Sequence, residues 1–267
     1  MSRVGFQLLG TGNAFLPQGR LHSLLLIDGK ILVDCPPTVI ASLRQADIPL
    51  SNISTILFTH WHGDHCFGFP FFLLERKYIS DRAGESKLWI HNPKGGKKKL
   101  SHLCDLAYPG SLIDSIEDRC SFLESDSGAI LGVNGWTYER FKVLHDECVD
   151  PHGYVLCHES GFTIMHTGDS GPCESIESRV ENCDVVVIEM GVPDWVETEN
   201  HFSPKRLTAL ATKFPNTIFI VTHTYIDDPD SGKSPIMTAE LPHLPSNCTH
   251  GSDNMKWEWE DGKLEMV

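Results

Sequence analysis

Apolar positions in this chain fall in short runs punctuated by glycine, proline and acidic residues, a pattern of interleaved strands and helices. Residues 4–9 are apolar-rich and close on Gly10-Thr-Gly12, which predicts a strand entering a glycine turn. Residues 24–27 and 31–33 flank Asp28-Gly29 as a hairpin. Residues 39–46 carry helical amphipathicity and stop near Pro49. Residues 53–58 form a short strand. Residues 67–78, apolar and aromatic, predict a helix with Pro70 tolerated in its first turn. A strand over 87–91 and a helix over 101–108, ended by Pro109, follow.

The second half repeats this texture. Residues 136–144 alternate as a strand; 154–158 and 162–166 pair around Glu159-Ser-Gly161. Residues 175–180 predict a short helix, and 185–189 a buried strand. Ser203-Pro204 opens a capped helix reaching 214, and 218–222 form another buried strand. Residues 226–250 predict a long loop, and 256–267 a hairpin around Asp261-Gly262. With no repeat and no dividing linker, the pattern predicts one α/β domain over 1–267.

Several of these strands end in residues able to bind metal: His60, His145, Asp169 and His223. Strand ends in layered α/β structures gather at one edge, where loops build sites. The densest signal is residues 59–65, THWHGDH, directly after Ile56-Leu57-Phe58. His60 and His62, two apart on turning backbone, can chelate one ion; Asp64 and His65 serve a second. His145 completes the first set and His223 the second, while the two oxygens of Asp169 can bridge. Two ions about 3.5–4 Å apart share a water and lower its pKa, supplying hydroxide at neutral pH.

Composition narrows the class. At 267 residues with 40% hydrophobic and 22% charged positions, the chain can bury a sizeable core. No apolar stretch approaches the roughly 18 residues of a membrane span. The start resembles no signal peptide, so a cytoplasmic location is expected. The nine cysteines are odd in number, scattered and free of CxxC spacing, which argues for reduced thiols rather than a disulfide framework. A net charge of −14 opposes nucleic-acid binding except at Lys94-Gly-Gly-Lys-Lys-Lys99, read as a solvated loop.

His60-Trp-His62-Gly-Asp64-His65 resembles the HxHxDH motif of the metallo-β-lactamase superfamily, Thr167-Gly-Asp169 its GD motif, and Val221-Thr-His223 its last-histidine strand. Leu9-Gly-Thr-Gly12 with Arg20 and Ser23 resembles the ribonuclease Z branch. The resemblance implies a four-layer αβ/βα sandwich. It also implies the metal set His60, His62, Asp64, His65, His145, Asp169 and His223, with Asp64 also counted in the catalytic group. His201-Phe-Ser203, following Glu189, resembles a loop in ribonuclease Z and in the small phosphodiesterase of the carbon–phosphorus lyase pathway. There the histidine, aided by the glutamate, protonates the leaving oxygen. Only 24 positions separate His145 from Asp169, too few for the tRNA-gripping arm many ribonucleases Z insert there.

The expectation is therefore a dinuclear hydrolase with two divalent ions, zinc or manganese, with iron an option. Its substrate is a small phosphodiester such as a cyclic nucleotide, with His201 as general acid. tRNA and membranes are not expected as partners; the oligomeric state stays open, a homodimer being one option. The alternatives are a lactonase or thioester hydrolase of the same superfamily, a tRNA 3′-end endonuclease, and a non-catalytic metal-binding scaffold. His22 and His152 are expected to be ordinary loop histidines.

Overall fold

A computed structural model describes residues 3–225, 242–260 and 262–267. Two mixed sheets face each other. The first has eight strands: β1 (Val4–Gly10), β2 (Leu24–Ile27), β3 (Ile31–Val33), β4 (Thr55–Leu57), β5 (Leu88–His91) and β6 (Cys120–Leu123), extended beyond β1 by β14 (Lys256–Glu260) and β15 (Lys263–Met266). The second runs β7 (Ser127–Ala129), β8 (Trp136–Lys142), β9 (His152–His158), β10 (Thr163–His166), β11 (Val185–Glu189), β12 (Ile218–Thr222) and β13 (Cys248–His250).

Period-two alternation places the layers. Leu25, Ile27, Ile31, Val33 and Leu57 point toward the other sheet and meet Val185, Val187 and Ile220. The intervening Leu24, Leu26, Leu32 and Ile56 point outward onto α1 (Val39–Gln45) and α3 (Phe69–Glu75). Likewise Val186 and Ile188 face α5 (Glu174–Val180) and α6 (Pro204–Lys213). Helix, sheet, sheet and helix give the four expected layers. β3 to β6 run parallel, as do β10 to β13, so their carboxyl ends carry the turns that hold the site.

The differences from expectation are local. The helix expected over 67–78 is two pieces, α3 and a wider turn over 76–80, and a separate short helix, α2 (Gly63–Cys66), precedes them within the histidine run. The lysine patch is not a loop: Gly95, at φ 77°, opens α4 (Gly96–Ala107), so Lys97, Lys98 and Lys99 occupy its first turn. Ser203 does not cap α6 with its own side chain; it donates to Asp194 Oδ1 (2.6 Å), which accepts from Lys205 N (2.8 Å) instead. Residues 226–241 of the expected long loop, and Asp261 of the hairpin turn, lie outside the described residues; residues 248–250 form β13 rather than loop. All nine cysteines are free thiols.

Candidate active site

The turn after β4 delivers His60 and His62, and α2 presents Asp64 and His65 one step later. His145 follows β8, Asp169 follows β10, and His223 follows β12. All seven meet at the sheet edge. His60, His62, His145 and Asp169 form one group, Asp64, His65, Asp169 and His223 a second, with ligand atoms within 4.8 Å of one another in each. Asp169 belongs to both.

Their spacing tests whether an ion fits. Ligands about 2.0–2.1 Å from a tetrahedral ion stand roughly 3.3 Å from each other. In the first group His62 Nδ1 lies 3.1 Å from His60 Nε2 and 3.1 Å from His145 Nε2, and His60 Nε2 lies 3.9 Å from Asp169 Oδ2. In the second, His65 Nε2 is 3.3 Å from Asp64 Oδ2 and 3.3 Å from Asp169 Oδ1, while His223 Nε2 is 3.3 and 3.2 Å from Asp64 Oδ2 and Asp169 Oδ2. The donor set suits divalent metal ions.

Asp34, at the end of β3 and missed by the sequence reading, orients both groups. Its Oδ2 accepts from His65 Nδ1 (2.7 Å) and from Thr59 Oγ1 (2.8 Å), and its Oδ1 from Thr59 N (2.8 Å). Thr59 Oγ1 in turn accepts from His60 Nδ1 (3.0 Å). Each contact fixes the tautomer that turns Nε2 inward. His145 Nδ1 is held by Asn200 O (3.0 Å). Asp34 and His223 adopt φ of 72° and 51°, left-handed conformations that cost non-glycine residues about 1–2 kcal/mol. Such strain is tolerated where surrounding structure over-determines it.

The electrostatics follow from burial among these groups. Burial opposes charge on His65, yet Asp169, Asp34 and Asp64 hold its pKa well above the imidazole range. Burial opposes ionisation of Asp64 too, but His65 and His223 keep it far below the carboxylate range. Burial, reinforced by neighbouring imidazoles, keeps His60 well below its ordinary value.

Beside the second group, His201 Nδ1 bonds Glu189 Oε1 at 2.6 Å. Glu189 is buried and also accepts from Ser170 N and Gly191 N. A Cβ at Gly191 would stand 2.7 Å from Glu189 Oε2 and 2.9 Å from His201 Nδ1, so only glycine lets the chain pass here. Burial lowers the His201 pKa, but Glu189 outweighs it and raises it to about 9. Glu189, His201 and His223 form a third group within metal-binding reach, yet the Glu189 oxygens are already engaged by three donors.

His62, Asp64, Asp169, His201 and His223 line the floor of a cavity of about 760 Å³, whose walls include Phe15, Val192, Pro193 and Trp195. His152 lies outside it, its Nδ1 bonded to Asp150 O (2.8 Å). His22 is not among the lining residues either, although it feels the Asp64 field. No helix among the described residues is long and apolar enough to cross a membrane.

The four-layer sandwich and a ligand-bearing cleft at its strand ends define a metal-dependent hydrolase of the metallo-β-lactamase superfamily, in its ribonuclease Z and small-phosphodiesterase branch. More narrowly, the chain belongs to the family described as anti-Pycsar protein Apyc1, which it matches over residues 4–238. It is similar to ribonuclease Z of Methanosarcina mazei, 23% identical, over 85% of this chain and 90% of that protein. It is 24% identical to human zinc phosphodiesterase ELAC protein 2 over 72% of this chain, but spans only 26% of that longer protein. Among solved structures it resembles the metallo-β-lactamase fold protein YhfI of Bacillus subtilis, with TM-score 0.73 and 16% identity over 97% of this chain and 100% of that one.

Proposed function

We propose that the protein is a dinuclear phosphodiesterase acting on small phosphodiesters, cyclic nucleotides or related esters. The observation that carries this reading is the Glu189–His201 pair beside two ligand clusters that share Asp169. His60, His62 and His145 would hold one ion, Asp64, His65 and His223 the other, and Asp169 both. Two bound divalent ions, zinc or manganese with iron an option, supply Lewis acidity and a water of lowered pKa. The asymmetric share of the work falls to His201. Hydrolysis forms one P–O bond to the water-derived oxygen and breaks one to the ester oxygen, whose alkoxide leaves poorly. With Nδ1 bonded to Glu189, whose charge raises the pKa of the ring, His201 leaves its opposite ring nitrogen for the cavity it lines, so Nε2–H can neutralise that alkoxide. A lactone or thioester gains less from such an acid.

The experiment is elemental analysis followed by turnover of a panel on metal-loaded protein: cyclic nucleotides, linear diesters, lactones and precursor tRNA. Close to two ions per chain and preferential cyclic nucleotide cleavage are expected; one ion or none, or preferential lactone cleavage, overturns the reading. Relatives named ribonuclease Z favour tRNA processing as a second reading. The net charge of −14 weighs against it, and precursor tRNA binding at physiological salt decides.

A further inference from the structure

His201 stands on the loop between β11 and α6, and no main-chain ladder fixes it there. Among the described residues no backbone–backbone hydrogen bond involves residues 197–202. A stretch with so few main-chain ties opens easily unless side chains hold it. Three side chains from outside the stretch bond it. Glu189 Oε1 meets His201 Nδ1 (2.6 Å), His145 Nδ1 donates to Asn200 O (3.0 Å), and Arg206 Nη1 donates to Thr198 O and to His201 O (3.1 Å). Thr198 Oγ1 also accepts from Asn200 N (3.1 Å), closing the stretch on itself. The loop is seated on the turns that present two other floor residues. A Cβ at Gly171, two positions after Asp169, would stand 1.6 Å from Glu199 O, and Gly171 N donates to Leu144 O (2.7 Å), the residue before His145.

Glu189 and His145 are working groups of the site, whereas Arg206 belongs to neither ligand group and does not line the cavity. It is the third residue of α6, a helix anchored by buried Leu207, Leu210 and Ala211. We propose, building on the phosphodiesterase reading, that Arg206 is a positioning residue that sets His201 as proton donor and, through Asn200 O, the orientation of His145. One guanidinium nitrogen gripping carbonyls three positions apart fixes the curve of the chain between them, and Asn200 O lies on that curve. Without Arg206, the His201 ring keeps Glu189 but its backbone is free to swing. A displacement on the order of 1 Å from the leaving oxygen costs about 10²-fold in rate. His145 keeps its place after β8 but loses a fixed acceptor behind its ring.

The test is a double-mutant cycle between Arg206→Ala and His201→Ala, read as kcat at saturating metal for adenosine 3′,5′-cyclic monophosphate and for bis(4-nitrophenyl) phosphate. Arg206→Ala should lower kcat on the cyclic nucleotide about 10- to 100-fold with KM within about twofold, and should spare the aryl diester, whose leaving group needs no proton. In the His201→Ala background the same substitution should cost under about threefold, because the group it positions is gone. A merely structural role predicts equal losses in both backgrounds and on both substrates, and that result overturns the proposal while leaving the phosphodiesterase intact. If Arg206→Ala does not fold, Arg206→Lys, which keeps the charge and the stem but not the planar fork, takes its place in the cycle with a smaller loss and the same criterion. If the wild type cleaves neither diester, the phosphodiesterase reading falls. Arg206 is then decided by competition with a chelator: one ion held about 10- to 100-fold more weakly in Arg206→Ala, with no further weakening in a His145→Ala background, sustains the positioning role, and unchanged affinity overturns it.

Discussion

The floor and the rim of the cavity are built by opposite rules. On the floor, polar groups are largely buried and four of the six imidazoles are held by a partner behind them: His65 by Asp34, His60 by Thr59, His145 by Asn200, His201 by Glu189. On the rim, Phe15 and Trp195 are exposed and only their backbones are held. Preorganisation on the floor serves chemistry, because donor atoms off by an ångström lose the ion or the proton transfer. Tolerance on the rim serves binding, because an apolar wall offers a surface rather than a point. The contrast implies that floor substitutions alter kcat and metal content, whereas rim substitutions alter KM.

The strongest test of that division is Asp169→Ala. It removes the one carboxylate shared by both groups. Metal content should fall below one ion per chain and kcat/KM by roughly three orders of magnitude or more. Retained metal and activity would mean that the floor is not organised around Asp169. Next is His201→Ala, which leaves both clusters whole. The loss should be about 10²- to 10⁴-fold for an alkyl diester. For bis(4-nitrophenyl) phosphate, whose leaving group departs without a proton, it should stay under about tenfold. Equal losses on both substrates would remove the acid role.

A sharper cut lies one layer behind the floor. Asp34→Asn keeps the shape but withdraws charge from behind His65 and Thr59. Metal affinity, measured by competition with a chelator, should weaken about 10- to 100-fold with near-ultraviolet circular dichroism unchanged. Unaltered affinity would show that the imidazoles are oriented by backbone placement alone.

The same contrast explains what was legible in the sequence. Floor residues announce themselves because chelation forces rare side chains into close spacing, as in His60 to His65, and because their distant partners end apolar strands. The layers were legible for a related reason: Val185 to Glu189 and Ile218 to Thr222 are runs only a doubly covered strand can use. Asp34 gave no such signal, being one of 36 acidic residues whose role depends on β3 and β4 lying side by side. Phe15 and Trp195 are 180 positions apart and line one cavity only after the turns bearing them meet. The lysine patch misled because basic, glycine-containing composition describes a solvated loop and a solvated first helical turn equally well.

Floor and rim meet at Asn13, and the smallest predicted effect belongs there. Its side chain is buried, accepting from Phe15 N and donating to Gly191 O, two residues beyond Glu189. Asn13→Ala deletes both bonds and leaves buried backbone groups without partners, which should cost about 1–3 kcal/mol in denaturant unfolding. With the Phe15 turn released, KM for a cyclic nucleotide should rise a few-fold while kcat stays close to wild type, because no floor ligand is touched. A fall in kcat matching the rise in KM would show that the Gly191 bond also positions Glu189 and His201. The boundary between binding wall and catalytic floor would then lie further out than Asn13.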